Sequence, residues 1–351
     1  MLPMSWLKSE WRKMKTMFAT STPPPVVELE PLRSMADVDQ LIARAGFESA
    51  ASMIRERAQP CVRAMCVDAK LDANINTFEL GATRFGGLPD LPRDTPWPAD
   101  GESLFLGQVR SDDLMRVAMI AEDDPVIPKF SGLLSFFASP EWNAATVILT
   151  PLDTELVRLN PPKNFQAQDE LTVLNPVEVR WECAMSIPTT ADRLFEHSLR
   201  QLCPEADFDA FNDQSHAPSS TLAQLFGNTS AMDDFHTAAA LDELGFEGST
   251  SLLVWQSWES WEEAKKKKHK LRNGTIYTPW TAADDDKVRW LLANHDRIVA
   301  ETKEWQLLLS VNSNKEMNLW INDADSIYVM IRRDDLAKLD FSRVRVYASQ
   351  S

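Results

Sequence analysis

The sequence predicts an α+β fold of antiparallel sheets with flanking helices, arranged as two related halves about a pseudo-twofold. Three observations lead there. Short runs of β-branched and aromatic residues bounded by turn residues cluster near positions 104–183 and 306–347. Amphipathic stretches with a 3.6-residue period lie before, between and after them. A strand-like segment followed by Arg-x-Asp-Asp-Leu occurs twice.

Residues 35–58 read as one helix or two. Val38, Leu41, Ile42 and Ala45 share a face, Gly46 breaks the run, and Met53 and Ile54 lie beyond it. Leu104–Val109, Leu133–Phe137, Thr146–Leu149 and Val177–Cys183 read as strands. Residues 191–203 return to helix with Leu194, Phe195, Leu199 and Leu202 inward, and a loop is expected around Asn212–Ser220. Trp255, Trp258 and Trp261 lead into a charged helix, and Val288–Ala300 forms another. Gln306–Val311, Met317–Ile321, Ile327–Ile331 and Val344–Tyr347 read as strands. Asn- and Asp-rich turns separate the first three, as in an antiparallel meander. The repeat pairs Leu104-Phe-Leu-Gly-Gln-Val-Arg-Ser-Asp-Asp-Leu114 with Ser326-Ile-Tyr-Val-Met-Ile-Arg-Arg-Asp-Asp-Leu336, and Asp112 or Asp334 would cap a short helical turn.

Three parts are expected. Residues 1–22 carry Lys8, Arg12, Lys13 and Lys15 against Glu10, with Leu7, Trp11, Met14 and Phe18 on one helical face and Trp6 beside it. Such a helix lies on anionic lipid, docks on a partner, or folds back on an acidic body. Residues 23–34, opening with three prolines, form a stiff linker, and residues 35–351 form the main domain.

The chain has 351 residues, 36 Lys+Arg against 52 Asp+Glu, and a formal charge of −16. That balance argues against nucleic acid as a partner, because phosphate contact needs a basic surface. It would also steer a basic protein inward. No apolar run approaches the roughly 20 residues of a membrane span. Cys61, Cys66, Cys183 and Cys203 form no C-x-x-C pair and read as buried thiols of a reducing compartment, and the first residues lack the pattern of a secretory signal. The expected location is cytoplasmic, with membrane association through residues 1–22.

No assembled chemistry is legible. His197, His216, His236, His269 and His295 lie in no metalloprotease or hydrolase motif. The spacing of Cys183, His197, Cys203 and His216 fits no standard zinc site. Glu122–Asp124, Asp233-Asp234 and Asp284–Asp286 match no calcium loop and read as solvated, Asp284 and Asp285 favouring the start of the next helix. Lys265–Lys268 follow Glu262 and Glu263, so i, i+4 pairs Glu262–Lys266 and Glu263–Lys267 would consume much of their field. No metal or cofactor is expected. Trp97 and Trp142, beside prolines, are the tryptophans expected nearest the surface.

Arg84-Phe-Gly-Gly-Leu-Pro-Asp-Leu-Pro-Arg-Asp-Thr-Pro-Trp-Pro98 is the most unusual segment. It holds four of the 21 prolines and two of the 11 glycines. Fixed φ angles and missing donors make it a rigid, irregular loop. With Leu104–Gln108, Gly132–Phe137, Trp305–Leu309, Trp320, Ile327–Ile331 and Asp335-Leu336, it resembles the YwqG-like family of bacterial proteins over roughly residues 40–348. The resemblance implies a mixed α+β body with antiparallel sheets and no established activity. Two places depart from the family pattern. Its His-x-Leu-Leu-Gly-x-Pro is Ala223-Gln-Leu-Phe-Gly-Asn228 here, and its Trp-Gly-Asp is Trp320-Ile-Asn322.

The function expected is a non-catalytic protein-binding module. In concrete form it is an immunity or antitoxin-like protein that occludes a basic bacterial toxin. Arg84, Phe85, Gly86, Gly87, Pro89, Trp97, Gln108, Asp112 and Asp335 are the candidate binding residues. The alternative is an uncharacterised enzyme with its site between the halves, using Arg84, Gln108, Asp112 and Asp335.

Overall fold

In the computed structural model, residues 31–67, 78–99, 102–117, 130–162, 173–218, 220–229, 234–248, 252–253, 257–267, 269–270, 276–277, 280–322 and 324–349 are described. The helix expected in residues 1–22, with Trp6, Leu7, Trp11, Met14 and Phe18, and most of the linker lie outside them. So do Glu122–Asp124, Asp233, Trp255 and Lys268.

The helices are α1 (Met35–Ala45), α2 (Ala51–Arg57), α3 (Ser111–Val117), α4 (Arg193–Leu202), α5 (Phe208–Ser215), α6 (Phe235–Glu243), α7 (Trp258–Lys266), α8 (Asp285–Ala293), α9 (His295–Thr302) and α10 (Arg333–Ala337). The strands are β1 (Gln59–Cys66), β2 (Arg84–Phe85), β3 (Asp90–Leu91), β4 (Leu104–Arg110), β5 (Leu133–Ala138), β6 (Ala145–Thr150), β7 (Val157–Arg158), β8 (Val179–Ser186), β9 (Thr221–Leu225), β10 (His269–Lys270), β11 (Ile276–Tyr277), β12 (Trp305–Asn312), β13 (Ser326–Arg332) and β14 (Arg345–Ala348). A six-stranded sheet has the order β14-β13-β12-β9-β1-β8 and a four-stranded sheet the order β2-β4-β5-β6, every neighbour antiparallel. The fold is therefore α+β with antiparallel sheets. Val62, Leu106, Leu134, Phe136, Leu225, Leu309 and Val329, drawn from strands of both sheets, share the main apolar core. A second core gathers α1, α2, α4 and α5 around Phe47, whose ring centroid lies 4.9 Å from that of Phe211.

Local chemistry sets the helix limits. Ser34 and Asp37 form a capping box at the start of α1, and Gly46 ends it in the left-handed region. Asp192, Asp207 and Asp234 cap α4, α5 and α6. The Asp207 cap carries helix through Ser215, where a loop was expected from residue 212. Leu202, expected inward, is exposed at the last turn of α4. Residues 288–300 are not one helix: Asn294, at φ −112°, separates α8 from α9.

In α7, which ends at Lys266, the ion pairs close at i, i+3 instead of i, i+4. Glu262–Lys265 and Glu263–Lys266 are each 2.8 Å. Lys265 also meets Asp285 at 2.7 Å, as does the Trp261 indole at 2.8 Å. Asp285 is thus tied to α7 as well as placed at the start of α8.

Met317–Ile321 is not a strand. Asn318, Asn322 and Ala324 take positive φ, and Asn314 and Leu319 exchange hydrogen bonds of 2.8 and 3.0 Å. The meander is therefore β12-β13-β14, with a folded connection inside its first turn. The repeated segments adopt one local plan: β4 runs into α3 and then to antiparallel β5, while β13 runs into α10 and then to antiparallel β14. Asp112 and Asp334 lie inside the first turns of α3 and α10 rather than at their caps.

Gly86 shows how tightly the proline-rich loop is seated. Its φ is +70°, and an added Cβ would overlap the Asn175 carbonyl. Gly86→Ala is expected to cost about 3 kcal/mol from backbone strain plus overpacking. Urea unfolding checks this, and a cost below about 1 kcal/mol would contradict it.

Candidate functional site

Register assembles the first cluster. β2 and β4 pair Arg84 with Gln108 and Phe85 with Gly107, which puts Arg84 and Gln108 on one face. β3 and β7 pair Asp90 with Arg158. The four polar side chains then meet. Asp90 Oδ2 accepts from Arg84 Nη1 at 2.7 Å, Gln108 Nε2 at 2.9 Å and the Gly81 amide at 2.9 Å. Asp90 Oδ1 accepts from Arg158 Nε at 2.9 Å. Gln108 Oε1 accepts from the Asp90 amide at 2.9 Å, and Arg84 Nη2 donates to the Leu88 carbonyl. Arg84, Asp90 and Gln108 are each 0% exposed. Burial alone would raise the Asp90 carboxyl, but hydrogen bonds from Arg84 and Arg158 hold it below its usual value. Burial pulls the Arg84 guanidinium down.

This network is a brace beneath the proline-rich loop. Phe85, Gly86, Gly87 and Pro89 are buried with it, and the Gly87 amide donates to the Leu174 carbonyl at 2.8 Å. Both terminal nitrogens of Arg84 and both polar atoms of the Gln108 amide are committed inside the fold, so their part is to hold the loop. Its outer side carries exposed Arg93, Asp94 and Pro96. Trp97 is half-buried: its ring lies edge-on to Phe137 at 5.6 Å and its indole N–H donates to the Ser103 carbonyl at 2.8 Å. Trp142 is also half-buried, against the main core. Among the described residues Trp320 is the tryptophan standing out, 50% exposed between buried Leu319 and Ile321.

Asp112 and Asp335 stay within their own strand–helix units. Asp112 pairs with Arg110 at 3.2 Å, and buried Asp335 accepts from Arg343 at 2.8 and 3.1 Å. The thiols divide: Cys61 and Cys203 are buried, while Cys66 and Cys183 are half-buried. Among the described residues no His, Cys, Asp and Glu side chains group to hold a metal. No described helix is long and apolar enough to cross a membrane.

Sequence reasoning missed a second cluster. Pro188, Thr189, Asp192, Asn228, Thr229, Asp234 and His236 line a small crevice where α4 and α6 begin. Asp192 Oδ1 accepts from the Phe195 amide at 2.9 Å and Oδ2 from Arg57 Nη2 at 2.6 Å. Asp234 Oδ1 accepts from the Thr237 amide at 3.0 Å, and Oδ2 from the Arg193 amide of the other helix at 3.3 Å. Asp234 is therefore not in a solvated acidic loop; it is 5% exposed. Burial, then the Asp192 charge, pushes its carboxyl up to about 7. Burial, then Arg57, pulls His236 down to about 4, so its ring is neutral at physiological pH.

Asn228 reaches the crevice because the chain turns sharply at Phe226 (φ +61°) and Gly227 (φ +78°). An added Cβ at Gly227 would overlap Ser186 Oγ. The Gln224 amide donates to the carbonyls of Phe226 and Asn228 at 3.2 and 2.9 Å, fixing that turn. The segment that departs from the resembled family pattern thus forms one wall of the crevice.

The model of a family described as a domain of unknown function, DUF1963, matches residues 83–349. No curated protein matches the chain.

Proposed function

The chain belongs to the DUF1963 family, a domain of unknown function, and from that premise we propose that it is a YwqG-like bacterial member acting by contact with another protein. The observation that carries this reading is the braced loop. A buried ion network holds residues 84–98 from beneath and leaves Arg93, Asp94 and Pro96 outward. A segment ordered before binding avoids much of the ordering cost that association otherwise incurs. The charge of −16 favours a basic partner and a fast encounter with it. An immunity or antitoxin-like protein that occludes a basic toxin fits this description.

The test is site-specific photo-crosslinking in native lysate. A photoreactive residue at position 94 is expected to capture one basic protein in near-stoichiometric yield, and less of it as salt rises. The same residue at exposed Asp209 on α5 is not. Equal capture at both positions, or recovery of the bare chain at both, would refute the reading.

A further inference from the structure

The crevice between the starts of α4 and α6 is rich in acceptors, and several of its donors are already committed. The amides of Arg193, Phe195 and Thr237 are taken by Asp234 and Asp192. Arg57 is taken by Asp192, and the Asn228 amide donates to the carbonyls of Arg57 and Ser186 at 2.9 and 3.0 Å. An anion would meet two carboxylates, Asp192 and Asp234, which already accept from three first-turn amides of the two helices. Three acceptors remain: Asn228 Oδ1, the spare lone pairs of Asp234, and the His236 ring. The ring is 8% exposed and makes no hydrogen bond among the described residues. Asp234 has no ion-pair partner among them, whereas Asp192 has Arg57. A buried carboxylate without a cation is costly and requires either a proton or a positive guest.

The space is about large enough for one water molecule. That size and the acceptor count select a guest with three N–H donors and one positive charge. We propose that this crevice binds an ammonium group, either the free ion or the head of a short primary alkylamine. Three of its hydrogens go to the Asp234 carboxylate, the neutral His236 ring nitrogen and Asn228 Oδ1, and the remaining substituent is a hydrogen in the free ion and carbon in the alkylamine. The other charges facing the group are Asp192, neutralised by Arg57, and the positive field of Arg333 from α10, which acts on His236. The proposal stands apart from the protein-contact reading, since the loop at 84–98 takes no part in it.

The guest competes with the proton on Asp234. Binding is therefore expected to weaken about tenfold between pH 8 and pH 6, as the carboxylate fills with protons around pH 7. The experiment is thermal unfolding of the full chain at pH 8 in ammonium, n-butylammonium or tetramethylammonium chloride of equal ionic strength. At ten times its dissociation constant a bound guest should raise the melting temperature by about 2 °C over the tetramethylammonium sample. Asp234→Asn, which keeps a capping side chain, should abolish the gain, and His236→Leu should reduce it. A gain with ammonium alone identifies the free ion as guest. A gain with both ammonium and n-butylammonium shows that an alkyl tail is admitted. Identical melting in all three salts overturns the proposal, as does a gain that survives in both variants.

Discussion

Asp90→Ala is expected to destabilise the protein by about 3–5 kcal/mol, read as a lower urea midpoint at unchanged slope. The size follows from what is left behind. Asp90 compensates two guanidinium groups, Arg84 at 2.7 Å and Arg158 at 2.9 Å, and Arg84 is fully buried. Removing the carboxylate leaves that cation with only carbonyl acceptors, at Ala82 and Leu88. It also takes one of two acceptors from the Gln108 amide, which keeps the Ala82 carbonyl, and the side-chain acceptor from the Gly81 N–H. Arg84→Met combined with Asp90→Leu should cost less than Asp90→Ala alone, because the fully buried Arg84 cation is removed together with its carboxylate. A single-variant loss under about 1 kcal/mol, or a double variant worse than the single, would show that the network does not brace the loop. The depressed Asp90 carboxyl adds a pH signature: its contribution is present above its unfolded value near 3.8 and is lost as pH falls through the lower folded value.

Asp234→Asn and His236→Leu should tilt stability against pH in opposite directions. Asp234 titrates near 3.8 unfolded and about 7 folded, so between those values the native state holds the extra proton and stability falls as pH rises. His236 titrates near 6.5 unfolded and about 4 folded, so the unfolded state holds the extra proton and stability rises with pH. The two slopes offset one another between pH 4 and 6.5 in the native sequence. Relative to it, Asp234→Asn should gain about 3 kcal/mol over that window and His236→Leu should lose about 3 kcal/mol. Other carboxylates act in all three proteins, so the differences isolate this pair. Urea unfolding at half-unit steps from pH 4.5 to 7.5 measures them. Parallel curves for the three proteins would refute the opposed titrations.

The strands were legible where alternation and turn residues coincide. Leu104–Val109 and Ile327–Ile331 are recovered to within a residue or so of β4 and β13. Met317–Ile321 misled because its alternation is real: Leu319 and Ile321 are inside and Trp320 is out, but positive φ at Asn318 and Asn322 coils the segment instead of pairing it. Arg84 and Gln108 stood out by their unusual neighbours, yet their carboxylate partner Asp90 lay unassigned in the same motif. Arg158, 68 positions away from Asp90, carried no local mark. The crevice was harder still. Asp192 carried no reading and Asp234 read as part of a solvated acidic pair, and nothing in spacing reveals that these two residues cap separate helices side by side.

The order of the large sheet has a consequence during synthesis. β1, made of residues 59–66, lies between β8 and β9, whose residues 179–186 and 221–225 emerge much later from the ribosome. Its buried Val62 and Ala64 stay without their final neighbours until more than half the polypeptide exists. Pairings this distant in sequence slow folding and prolong the time an unpaired edge can meet another nascent chain. Truncations ending before residue 221 should therefore accumulate as chaperone-bound or aggregated material and not as a stable fragment.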